Sequence, residues 1–143
     1  MTTRAPGDPL LVARLVWGSL LVAPALYCGV LVLLLRSGAG GPNPALADSL
    51  RTILLVLAVG QTLAVWFVWN RVVAPSGARA PANRVDPQRA ITMHVVCWTL
   101  CEAIALYGLV IGIIAHRLEP VFFVWGFVAL LLLHPRAENF GPS

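Results

Sequence analysis

Residues 97–112 read Cys97-Trp98-Thr99-Leu100-Cys101-Glu102-Ala103-Ile104-Ala105-Leu106-Tyr107-Gly108-Leu109-Val110-Ile111-Gly112. Glu102 carries the only formal charge in this run. With its apolar neighbours the run is long enough to cross a bilayer, which takes about 20 residues. A carboxylate at membrane depth costs roughly 2.5–3.5 kcal/mol on insertion scales. An ionisable residue kept there is, by default, a candidate for function.

The whole chain matches this reading. Hydrophobic residues make up 59% of the 143, charged residues 11%, and mean hydropathy is +0.83. Soluble domains carry about 25% charged residues, so these values indicate an integral membrane protein. All ten basic residues are Arg, and the net charge is +4. The Arg residues flank apolar segments singly, as headgroup anchors do, and no basic cluster points to nucleic acid. Cys28, Cys97 and Cys101 all lie inside apolar segments. An odd number in such positions reads as packing residues and not as a disulfide framework.

The expected fold is all-α. A single transmembrane domain covers 1–143, with helices at about 10–35, 50–73, 90–115 and 119–134 packed as antiparallel hairpins. The fourth is short for a span and calls for local thinning of the bilayer. Residues 37–44 form a Gly- and Pro-rich, helix-breaking loop. Residues 74–84 form a longer basic loop. Residues 116–120 form a tight turn, with Pro120 suited to the first position of the fourth helix. Pro24 is expected to bend the first helix.

One side of this topology holds Arg4, Arg14, Arg71, Arg79, Arg84, Arg89 and Arg136, and the other only Arg36, Arg51 and Arg117. The positive-inside rule puts both termini and the middle loop in the cytoplasm, which suits a multi-pass protein of a bacterial inner membrane. The first apolar run outlasts the 7–15 residues of a signal-peptide core, so it reads as an uncleaved helix.

On a helical wheel of the third segment, His94, Trp98, Cys101, Ala105, Gly108, Gly112 and His116 share one side, with Glu102 at its edge. Gly108 with Gly112, and Cys101 with Ala105, are small-residue pairs one turn apart, the kind that lets helices approach closely in lipid. Glu102 is thereby directed toward a helix contact. Gln61 is its expected partner. Counted from the cytoplasmic helix ends, the two lie within about 5 Å in depth, and an amide can both donate to and accept from a carboxyl. Tyr107 points about 140° away from Glu102 on an ideal helix.

The three His residues have no metal-ligand spacing and read as helix-end residues. Trp66 and Trp69 fit an interfacial belt. No cofactor motif, nucleophile elbow or phosphate loop occurs, so no independent catalytic activity is expected.

Leu100 to Ile111, with its membrane Glu followed by small and aliphatic residues and then Tyr107-Gly108-Leu109-Val110, resembles the second helix of the rotary ATP synthase c subunit, the proteolipid family. The resemblance covers about 30 residues. It implies that Glu102 carries a proton, that the Tyr107 hydroxyl helps close the site, and that Gln61 sits on the partner helix. Ala103 follows the acid where sodium-type sites carry a hydroxyl, which favours a proton. The chain departs from the family in lacking the repeated ring glycines, in the large Trp66, Phe67 and Trp69 of its second helix, and in its four spans.

The function expected is therefore a c-subunit-like membrane protein with a protonatable carboxyl site formed by Glu102, Gln61 and Tyr107, binding or translocating protons in an oligomer. The alternative is a non-transporting accessory protein in which Glu102 is a buried hydrogen-bond donor. A small proton-coupled exporter ranks last, because such exporters resemble this chain in span count but carry their acid in the first helix. Expected partners are the lipid bilayer and other copies or a membrane complex, with no cofactor.

Overall fold

The computed structural model describes residues 9–38, 41–70 and 87–135, with side chains of the third helix described from Ile91. The basic loop at 74–84, both tails, and Arg4, Arg71, Arg79, Arg84 and Arg136 lie outside the described residues. Among the described residues the chain is all-helical: α1 (Pro9–Ser37), α2 (Pro44–Val68), α3 (Pro87–Ala115) and α4 (Pro120–Leu132). Three helices are long and apolar enough to cross a membrane. The fourth, α4, has 13 residues and extends only about 20 Å, against a hydrocarbon core of about 30 Å.

Helix α2 begins before the sequence expectation. Asn43 caps it, its Oδ1 accepting from the Leu46 N–H at 3.2 Å, and Pro44 takes the first helical position, where its missing N–H costs nothing. Helix α1 continues through Pro24. Helix α3 closes with His116 in the left-handed region (φ 54°), and the Arg117 N–H returns to the Gly112 carbonyl at 3.1 Å. That is a Schellman closure, here with His in place of the usual Gly.

Helix α3 is the hub. It packs against α1, α2 and α4, while α1 also meets α4. The start of α2 meets the end of α3, where the Asn43 N–H donates to the Ile114 carbonyl at 3.0 Å. The end of α2 meets the first half of α3, where the Trp69 and His94 rings lie 5.1 Å apart, edge to face.

In lipid the hydrophobic effect between helices is absent, so packing and internal hydrogen bonds hold the bundle. The α3–α4 contact brings a glycine onto backbone. A Cβ built on Gly126 would lie 2.9 Å from the Cys101 carbonyl oxygen and 3.0 Å from the Ala105 nitrogen. Gly108 similarly receives Phe122 and Phe123, and Gly112 receives Leu31 of α1. The small-residue face read from the sequence is thus seated against α4 and α1.

The C-terminal carbonyls of α4 would be orphans in hydrocarbon. Two indoles satisfy two of them: Trp17 Nε1 donates to the Leu130 carbonyl at 2.9 Å, and Trp98 Nε1 to the Leu133 carbonyl at 2.8 Å. At the opposite end Glu119, its side chain only 6% exposed, accepts from Arg117 Nε at 2.7 Å and lies 3.6 Å from Arg51 Nη2. This carboxylate ties α2 to the turn between α3 and α4.

Candidate functional site

Glu102 sits at the middle of α3, half-buried. The α3 face that carries it also carries Ala105 and Leu109, and it packs on Tyr27, Cys28, Leu31 and Leu35 of α1, with Phe123 of α4 closing the cluster. In this setting Tyr27 Oη donates a short hydrogen bond to Glu102 Oε1. The opposite face carries Ile104, Tyr107 and Ile111. It packs on Leu54, Leu55 and Ala58 of α2, and on Phe122 and Trp125 of α4. There Tyr107 Oη donates to Gln61 Oε1 at 2.9 Å.

The three residues singled out from the sequence are therefore divided between two pairs. Gln61 takes its hydrogen bond from Tyr107, and Glu102 takes its own from Tyr27. The reason is azimuth. Tyr107 follows Glu102 by five residues, which is about 140° of rotation and about 7.5 Å of rise, so the two side chains face different neighbouring helices. Gln61 lies on the side of α3 that carries Tyr107, not on the side that carries Glu102.

Tyr27 was not identified as a site residue from the sequence. One signal was present: it is the only phenol in α1, in the apolar run Ala25-Leu26-Tyr27-Cys28-Gly29, and a hydroxyl at that depth must find a partner. A phenol suits a carboxyl that changes state. It donates to the carboxylate and can accept from the neutral acid, so neither form is left without a partner. Among the described residues, no buried side-chain nitrogen or oxygen lacks a hydrogen-bond partner.

Two histidines lie against tryptophan rings. His94 is fully buried between the rings of Trp69 and Trp98, the latter 5.4 Å away. His134 lies edge-on to Trp17 at 4.9 Å. Cys97 and Cys101 are free thiols buried in the cluster of Ala13, Val65, Trp98 and Leu130. Among the described residues no group of three His, Cys, Asp or Glu could hold a metal ion.

No protein-family model, curated protein or solved structure matches this chain.

Proposed function

We propose that this chain is a multi-pass membrane protein that binds a proton at Glu102 and passes it on within an oligomer, without independent catalytic activity. The observation that carries the proposal is the Tyr27–Glu102 hydrogen bond in the middle of the helices. A carboxyl at this depth with a partner that serves both of its protonation states is the minimum a proton-loading site needs. The resemblance of Leu100 to Ile111 to the ATP synthase c subunit supports the same role for Glu102. In that frame Tyr27 takes the closing role that the resemblance assigns to Tyr107, and the Tyr107–Gln61 pair holds α2 on α3. The proposal includes a topology of antiparallel hairpins with both termini in the cytoplasm of a bacterial inner membrane. Its support is the Arg distribution and the contacts between helix ends.

Dicyclohexylcarbodiimide reacts with protonated carboxyls in apolar surroundings and tests the proposal. Native membranes should show labelling at Glu102 that falls as pH rises and vanishes in Glu102→Gln. Absence of labelling across the pH range would overturn it.

A second reading is favoured by the closure of the pair within one chain: Tyr27–Glu102 simply clips α1 onto α3 in an accessory membrane protein. Purified chain reconstituted in liposomes separates the two. A proton flux lost in Glu102→Gln excludes the accessory reading, and a flux unaffected by Glu102→Gln excludes the proton site.

A further inference from the structure

Outside the Glu102 site, two neighbouring features lie along α4. The first is an apolar groove of about 650 Å³ between α2 and α4, within the size range of small-molecule sites. Pro120, Val124, Val128 and Leu132 form one wall at four-residue spacing; the other lining residues also belong to α4, except Thr62 of α2. The wall runs the length of α4, so the groove extends about 18 Å along the helix axis. That is close to the depth of one leaflet of hydrocarbon, about 15 Å.

The second feature stands at one end of that wall. Glu119, the residue before Pro120, is paired with Arg117 and Arg51. The carboxylate is nearly wholly buried, but the two Arg side chains are 54% and 42% exposed. Two guanidiniums against one carboxylate leave one net positive charge. Arg117 bonds Glu119 through Nε, and among the described residues its terminal nitrogens have no hydrogen-bond partner, which leaves their donors for an anion. Asp48, exposed one turn before Arg51 on α2, forms no ion pair among the described residues, so this net charge is that of the Arg51–Glu119–Arg117 cluster alone. A guanidinium fork matches a phosphate in both geometry and charge.

We propose that the α2–α4 groove binds one phospholipid with an anionic headgroup. An acyl chain lies along Val124, Val128 and Leu132, and the phosphate lies on Arg117 and Arg51. The chain length matches the groove, the charge matches its mouth, and a membrane supplies the ligand. The short α4 gives the site its form, because the groove ends where the helix ends. The proposal rests on the membrane reading and is independent of whether Glu102 exchanges protons.

The test is native mass spectrometry of the full-length chain in mild detergent with equal amounts of dioleoylphosphatidylglycerol and dioleoylphosphatidylcholine. One net positive charge near the surface predicts about a fivefold preference for the anionic lipid. Arg117→Gln keeps Glu119 paired to Arg51 and should abolish the preference while both lipids are still retained. Val128→Trp fills the groove from an exposed position and should remove retention of both; Leu132→Trp serves if that variant does not fold. Equal retention of the two lipids by the unmodified chain would overturn the headgroup assignment. Undiminished retention in the groove-filled variant would overturn the groove assignment. Inorganic phosphate that binds and displaces no lipid would make the Arg pair an anion site alone and overturn the proposal. An oligomer that Val128→Trp converts to monomer with unchanged lipid would assign the groove to a second copy and likewise overturn it.

Discussion

Replacing Gly126 by Ala adds one methyl group where α4 lies directly on the backbone of α3. The added Cβ would lie 2.9 Å from the Cys101 carbonyl oxygen, 3.0 Å from the Ala105 nitrogen and 3.2 Å from the Ala105 Cβ. Two of these three neighbours are backbone atoms of α3, so no side-chain rotation relieves the overlap. The helices must separate by several tenths of an ångström, and α4 must move as a unit. Overpacking of this kind costs about 1–3 kcal/mol. A midpoint of about 2 kcal/mol is roughly a thirtyfold shift in the folding equilibrium. Gly60→Ala is the matched control. It lies inside α2 with nothing within 4 Å of the built Cβ, and Ala there should be neutral or stabilising by up to about 1 kcal/mol. Reversible unfolding in mixed micelles of graded sodium dodecyl sulfate, followed by Trp fluorescence, measures both. Equal stability of Gly126→Ala and the unmodified chain, or an equal loss in Gly60→Ala, would refute the packing argument.

Other outcomes follow from the hydrogen bonds. Tyr27→Phe combined with Glu102→Gln in a double-mutant cycle should give a coupling of about 0.5–2 kcal/mol, the range for polar contacts between membrane helices; additivity would mean that the pair contributes nothing to stability. Tyr107→Phe should weaken the α2–α3 contact by about 1 kcal/mol yet leave carbodiimide labelling of Glu102 intact, and lost labelling would show that the two pairs act as one site. Trp98→Phe should cost about 1–3 kcal/mol, because the Leu133 carbonyl loses its donor, and hydrogen exchange should rise in the last turn of α4 first. Glu119→Ala should destabilise the bundle more than Asp48→Ala, since Glu119 is buried between two Arg and Asp48 is exposed; thermal melts in detergent compare them.

The all-helical character and the three long apolar helices were legible in composition and run length, because the bilayer sets both. The small-residue face of α3 was legible because close helix approach demands missing side chains at turn spacing. Its counterpart Gly126 was not, since a lone Gly in α4 carries no periodic signal. The start of α2 was placed too late because the apolar run begins only after the polar Asp48 and Ser49. The cap at Asn43 and the Glu119 ion pair, which comes from a distant turn, hold that polar stretch in the helix. Glu102 stood out in the sequence because charge in hydrocarbon is rare. Its partner did not. Depth along the membrane can be counted from helix ends, but the facing helix cannot, and Gln61 was matched on depth alone. The 140° between Glu102 and Tyr107 already contained the division into two pairs.

That division also constrains movement. The two phenol bonds grip α3 from different sides, one anchored on α1 and the other on α2. Twisting α3 about its own axis far enough to free Glu102 would drag Tyr107 off Gln61 in the same stroke, so both bonds would be lost together. Swinging α1 outward breaks only one. The fold therefore assigns the parts unequally: α3 is the fixed post, and the motion that frees the Glu102 carboxyl from Tyr27 while sparing the Tyr107–Gln61 bond is one of α1.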